Sequence, residues 1–409
     1  MLLHEIDYYC SQKNTIKMML LNKYYHKQIN INIYKNITQK ILYNNKIKNT
    51  LTCACKFETR NEIKNIDHLY KLKELAIKDN LQSNLNDLKK LTQIVKLSCS
   101  HNNKIKSVNH LHKLKRLHCS ARSRISQNSI KKINTITKLL CYYNKKIINV
   151  NHLNNLKILD CDGESGINQS AIKKLTKIIK LRCSDNEKII DVNHLQDLKI
   201  LYCARISGID KNGIKCLTKI VKLFCDNNEK ITDINHLYNL KELDCDYKSN
   251  IDQNGIKNLT KIRRLCCINN EKITDVNHLY NLKKLICTEN SGINQNGIKN
   301  LTKIIELICD DNEKITDVNH LNNIVKLSCR KNSGIDQNGI KNLSKMIELI
   351  CDNNTKITDV NHLSNLKELS CRMHSGIDQN GIKYLSKISY LNCCNNDKIT
   401  NIDHLNIKK

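Results

Sequence analysis

ITDVNHLYNLKKLICTENSGINQNGIKNLTKIIELICDDNEK, residues Ile273–Lys314, is one period of a pattern that returns every 42 residues. Its fixed points are nine Asp/Asn-His-Leu triplets, with imidazoles at His68, His110, His152, His194, His236, His278, His320, His362 and His404 and no slip of register. Each period divides into two unequal coils. Leu279-x-x-Leu282-x-x-Leu285-x-Cys287-x-x-Asn290-x-x-Ile293 is followed by Leu301-x-x-Ile304-x-x-Leu307-x-Cys309-x-x-Asn312-x-x-Ile315, so that successive cysteines fall alternately 22 and 20 residues apart. A single coil of about 20 residues cannot bury enough apolar surface to offset its chain entropy, and neighbouring coils must stack on one continuous core.

This frame resembles the leucine-rich repeat. The resemblance spans roughly residues 55 to 405 and implies an α/β solenoid: an arc whose Leu-x-Leu segments form a parallel sheet on the concave face, with the Asn turning the chain. Here Cys takes the second strand position. The half beginning ITDVNHLYNL resembles the short repeats of internalins and of a phosphatase-regulatory subunit, and GINQNGIKNL resembles the cysteine-containing repeats of F-box proteins. A repeat array fixes an architecture without naming its ligand.

The inward strand position reads Cys99, Cys119, Cys141, Cys161, Cys183, Cys203, Cys225, Cys245, Cys267, Cys287, Cys309, Cys329, Cys351, Cys371 and Cys393. Ile77, and in our reading Phe57, precede it in the same place, so the position selects a medium-sized hydrophobe and not thiol chemistry. Free, buried thiols point to a reducing cytoplasmic or nuclear compartment. The N-terminus MLLHEIDYYC has acidic residues within its first ten positions and no apolar core for a signal peptide or membrane span. No C-x-x-C pair marks zinc. Histidines two coils apart stand roughly 10 Å from each other on strands spaced about 4.8 Å, too far to share an ion. No cofactor or metal is expected, and each His is expected to satisfy a backbone group of a turn.

Asn102, Asn144, Asn186, Asn228, Asn270, Asn312, Asn354 and Asn396 form an unbroken series, expected to pair with backbone groups of turns. In the alternate coil a Ser stands one place later, from Ser123 to Ser375, and its hydroxyl is expected to substitute. Gly166, Gly208, Gly292, Gly334 and Gly376 follow, and suit a turn with positive φ.

The formal net charge of +29 invites an anionic partner. Most lysines nevertheless recur at turn positions of the repeat, and no segment resembles a groove-reading helix or basic strands with interleaved aromatics. Nucleic-acid or membrane-surface binding is therefore the minor reading.

Residues 1–50 lie outside the array, which occupies 51–409. Leu2-Leu3-His4-Glu5-Ile6, followed by Met18-Met19-Leu20-Leu21-Asn22-Lys23-Tyr24-Tyr25, resembles a degenerate F-box, with Leu3 where that family has Pro. The resemblance implies docking on a Skp-type adaptor and cullin through Leu2, Glu5, Ile6, Leu21 and Tyr25. The alternative is a small helical cap over the first coil, with Asn30–Thr50 as helix or connector.

Acid and His residues recur at fixed repeat offsets, so a pair such as Asp275 and His278 is scaffold, and no Walker loop, G-x-S-x-G or H-E-x-x-H occurs. The chain reads as a non-enzyme. Function belongs where the frame stays and the residue varies: the outward strand position preceding each Cys, which includes Arg182, Tyr202, Phe224, Asp244, Ile286 and Ile308. Fifteen such strands make a face roughly 65 Å long, suited to a folded protein or long peptide. The expected function is a protein-interaction scaffold, as substrate receptor of a ubiquitin ligase or as a stand-alone binding protein.

Overall fold

The computed structural model describes residues 70–77 and 88–405 and, for the backbone alone, Ile33–Lys35, Lys56–Thr59 and 85–87. The chain forms two units, Met1–Ile189 and Ile190–Lys409. Each is a stack of coils contributing one short strand apiece to a parallel sheet. Among the described residues the first unit runs through eight strands, from Ile33–Lys35 to Lys180–Arg182, and the second through ten, from Ile200–Tyr202 to Tyr390–Asn392. Pairing is in register: Leu97 opposes Leu117, Leu243 opposes Leu265, and Leu285 opposes Leu307. Zero stagger follows from the repeat, because every coil presents the same residue at the same height.

The strand interior is Leu-x-Cys. Leu285 and Cys287 are fully buried, as is every ladder cysteine from Cys99 to Cys371. Burial pushes the Cys267 thiol up to about 12, so these groups are inert small hydrophobes. In the last described coil Cys393 is only half-buried, which shows that each coil depends on its successor for cover.

Turns are closed by side chains acting between coils. Asn270 accepts from the Lys272 N–H (3.0 Å) and donates to the carbonyls of Cys245 (2.9 Å) and Ile251 (3.2 Å), one coil earlier. Asn144, Asn186, Asn228, Asn312, Asn354 and Asn396 repeat this arrangement. In the alternate coil Ser291 is buried and accepts from the Ile293 N–H at 3.5 Å, whereas Asn290 of the same coil is exposed. The hydroxyl thus takes over the acceptor half of the role, and the Asn of that coil has no part in it.

The Asn-His-Leu triplet links three coils. The His278 Nε2–H donates to the Ile256 carbonyl of the preceding coil (3.1 Å), which fixes that nitrogen as the protonated one. Asn277 reaches forward, donating to the Asn296 carbonyl (2.8 Å) and accepting from the Asn300 N–H (2.7 Å), while Leu279 enters the core. His110, His152, His236, His320 and His362 likewise each donate to a carbonyl of the preceding coil, and these histidines are structural donors. Among the described residues no group of three or more His, Cys, Asp or Glu side chains is placed to hold a metal ion.

Three sequence expectations change. The positive-φ residue is not the glycine after Ser but the residue two places beyond each ladder Cys, as at Asp185, Asn227, Tyr247, Asp311 and Met373. Gly292 is required for space instead, since a Cβ there would collide with the Glu271 and Ile273 carbonyl oxygens. Phe57 opposes Leu75, so it holds the leucine position, and Thr59 faces Ile77. Ile33–Lys35, inside the stretch read as helix or connector, is a strand paired parallel with Lys56–Glu58. The adaptor-docking positions Leu2, Glu5, Ile6, Leu21 and Tyr25 lie outside the described residues.

Replacing Asn270 by Ala removes the partners of two buried carbonyls and one N–H and is expected to cost about 3 kcal/mol in urea unfolding. Cys245→Val is expected to cost under about 1.5 kcal/mol, and Cys245→Asp to unfold the stack around it. Equal stability of the Asn270→Ala and Cys245→Val variants would contradict this account.

Candidate protein-interaction face

Alternation along the strand turns the residue before each Cys away from the core, onto the open face of the sheet. The structure places Tyr202, Phe224, Asp244, Ile286 and Ile308 there in the second unit and Arg182 in the first, all half-buried. Tyr202 opposes Phe224, and their rings stack with centroids 4.2 Å apart and planes 5° from parallel. Asp244 stands beside Phe224 and pairs with Arg264 one strand on. Ile286 opposes Ile308, forming a second apolar patch. In the first unit Arg182 pairs with Asp160 (3.4 Å) and Asp162 (2.9 Å). Cys266 and Ser328, which share this row, are buried by their neighbours.

Either side of the row, the face is organised by charge. At the first strand position lysine and glutamate pair across neighbouring strands, as in Lys222–Glu242 (2.7 Å), Lys284–Glu306 (2.7 Å) and Lys326–Glu348 (2.5 Å). One place beyond the ladder Cys, Asp310 and Arg330 pair at 2.7 Å and Asp352 and Arg372 at 3.0 Å. Ser328 and Ser370 each add a hydroxyl donor at 2.7 Å to the same two carboxylates. Sequence reasoning missed this row, although its signal was present: Asp, Arg, Asp, Arg at fixed offsets over two periods.

Around the aromatic stack the balance differs. Burial pushes the Asp246 carboxyl up to about 6, and Asp244 and Asp226 beside it add to the effect. Its donors are the Ile268 N–H (2.9 Å) and the Cys266 thiol (3.2 Å). Burial also raises Asp244, against the pull of Arg264. Asp352 shows the opposite outcome: burial raises it, but the Arg372 N–H, the Arg372 guanidinium and the Ser370 hydroxyl outweigh that, and it ends below the usual carboxylate range. The difference is the number of donors.

Lysines away from the face serve the scaffold. Lys314 Nζ donates to the Ser291 carbonyl (3.0 Å) and Lys356 Nζ to the Ser333 carbonyl (3.0 Å), while Lys303 and Lys345 reach Asn281 (3.1 Å) and Asn323 (2.7 Å).

No family model and no curated protein matches the chain. Solved structures do. The functional domain of InlJ from Listeria monocytogenes, described as including a cysteine ladder, superposes with a TM-score of 0.50 at 22% identity, covering 84% of this chain and 74% of that one. A leucine-rich-repeat protein of Leptospira interrogans gives a TM-score of 0.52 at 19% identity, covering 87% and 94%. The fold is that of leucine-rich-repeat proteins. At these identities the likeness concerns fold alone. Within it, this chain builds a cysteine ladder of its own, one thiol per coil. No helix among the described residues is long and apolar enough to cross a membrane.

Asp246 holds a proton more tightly in the folded chain than in the unfolded one, so its ionisation lowers stability as pH rises from about 4 through about 6. Asp246→Asn is therefore expected to stabilise the protein at pH 7.5 by about 2 kcal/mol. That gain is expected to vanish by about pH 3, below the ordinary aspartate value. Chemical denaturation of both forms across this range checks it, and a pH-independent difference would be inconsistent with the assignment.

Proposed function

We propose that this chain is a protein-recognition scaffold whose partner docks on the open face of the sheet, centred on the stacked Tyr202 and Phe224. The stack is the observation that supports the reading. Two half-exposed aromatics occupy a row that the repeat leaves free to vary, beside an ion pair and next to a half-buried acidic cluster. Aromatic anchors next to desolvated charge are the usual composition of an interface hot spot. Binding rather than catalysis fits the rest of the face, because acids such as Glu242, Glu306, Asp310 and Asp352 are held in ion pairs and the repeat histidines such as His278 and His320 are engaged by backbone carbonyls. A phosphate-led partner on the second unit's part of this face is disfavoured by its own Lys–Glu and Arg–Asp pairing. The buried free thiols fit an intracellular, reducing compartment.

Changing Tyr202 and Phe224 together to Ala is expected to weaken partner capture at least tenfold while leaving the melting temperature nearly unchanged. Affinity purification with mass spectrometry, run in parallel on the wild type and the double variant, measures the first, and calorimetry the second. Undiminished capture by a folded double variant would move the site elsewhere.

The finer reading is that residues 1–29 dock a Skp-type adaptor and cullin, making the chain a ubiquitin-ligase substrate receptor. It rests on the sequence around Leu2–Ile6 and Met18–Tyr25. Deleting residues 1–29 should then abolish adaptor capture and spare target binding. Failure of the full-length chain to capture the adaptor, under conditions where a known F-box protein does so, would leave a stand-alone binding scaffold.

A further inference from the structure

From Leu88 to Leu159 the chain contains no Asp or Glu, yet it holds sixteen Lys and Arg residues. Within the repeat array no other stretch of this length lacks carboxylates. On the sheet face of this sector, the strands Glu74–Ile77, Lys96–Ser98, Arg116–His118 and Lys138–Leu140 enclose a hollow of about 220 Å³. Its one carboxylate, Glu74, is engaged by Lys96. Arg116 and Lys138 stand opposite each other in register on adjacent strands, about 4.8 Å apart at the backbone, and neither forms an ion pair with a described residue. Elsewhere on this face such cations are matched across strands, as Lys284 is by Glu306.

His118 also lines the hollow. Its Nδ1 lies 3.3 Å from the Ser98 hydroxyl and its Nε2 3.3 Å from the Tyr142 hydroxyl. Both partners are hydroxyls, able to accept or to donate, so they hold the ring in place in either protonation state. In the row of His118, Leu140 follows on the next strand and Ala76 lies beyond Ser98 on the other side, so Leu140 is the apolar surface beside both the ring and Lys138.

We infer that this hollow is a binding site for a phosphate monoester on an aromatic carrier, whether a phosphorylated tyrosine side chain of a partner or a free aryl phosphate. The guanidinium of Arg116 offers paired donors to phosphate oxygens, and the ammonium of Lys138 adds a point charge to the same dianion. The aromatic ring covers Leu140, which stands two residues from Lys138 on the same strand and face. The surrounding carboxylate-free sector raises the local concentration of anions. A bare polyanion is the weaker fit, because the cations of the sector are spread around the whole coil, whereas the hollow combines charge with an apolar surface. The site lies in the first unit and does not depend on the Tyr202–Phe224 face.

Titration calorimetry on the full-length chain tests it with phenyl phosphate, inorganic phosphate, a phosphotyrosine peptide and a single-stranded oligonucleotide. Saturable binding of phenyl phosphate is expected, with inorganic phosphate at least tenfold weaker. The double variant Arg116→Gln/Lys138→Gln, both on the open face, is expected to bind phenyl phosphate at least tenfold more weakly with an unchanged melting temperature. Lys299→Gln/Lys341→Gln, a control on exposed lysines of the second unit, is expected to bind as the wild type does. Tighter binding of the peptide than of phenyl phosphate assigns the site to a partner's side chain, and equal or weaker binding assigns it to the free ester. Absence of phenyl phosphate binding, equal affinity for inorganic phosphate, or indifference to the Arg116/Lys138 change overturns the inference. So does an oligonucleotide that outcompetes phenyl phosphate and whose affinity falls by orders of magnitude between about 50 and 200 mM salt, since that is phosphodiester binding.

Discussion

A coil that turns inside a stack leaves backbone carbonyls and N–H groups in places water does not reach, and these must be paired. The Cys245 carbonyl is such a group, and Asn270 of the next coil reaches it at 2.9 Å. The same need explains why His278 donates backward to Ile256 and Asn277 forward to Asn296. Hydrophobic burial of Leu and Cys drives the stacking, but it is non-directional. Directional side-chain bonds between coils hold the spacing and the register. This is why the polar residues Asn, His and Ser recur more strictly than several of the apolar ones.

The same economy accounts for much of the basic composition. Lys314 and Lys356 close turns by donating to serine carbonyls, and Lys284 and Lys326 neutralise glutamates on the neighbouring strand. A net charge of +29 is thus a poor guide to the partner when taken over the whole chain. It becomes informative only where the pairing stops, as in the sector without carboxylates from Leu88 to Leu159 and in the acidic group around Asp246. Local imbalance, not total charge, marks the places where the scaffold's own needs no longer explain its residues.

The face of the sheet shows how one frame yields different chemistry. Asp246 and Asp352 occupy equivalent positions, yet one is raised to about 6 and the other held below its ordinary range. The strand beyond Asp352 supplies Ser370 and Arg372, and the strand beyond Asp246 supplies Cys266 and Ile268. Two substitutions per coil, at positions the core does not constrain, are enough to change a settled ion pair into an unsettled carboxyl.

The period, the coil boundaries, the inward leucines and cysteines and the outward row were all legible in the chain, because each follows from a short-range rule repeated many times. Even so, the same rules misplaced three features. Phe57 was assigned to the cysteine position on spacing, and only pairing with Leu75 puts it in the leucine position. The positive-φ residue was sought at glycine, whereas the turn tolerates Asp, Asn, Tyr or Met there and needs Gly292 for clearance from a neighbouring coil. The Asp310–Arg330 and Asp352–Arg372 ladder was not seen, since its partners lie 20 residues apart and meet only when coils stack. What one coil requires of itself can be read in its own residues; what it requires of the next coil, whether clearance, a donor or a counter-charge, is decided by distances that exist only after stacking.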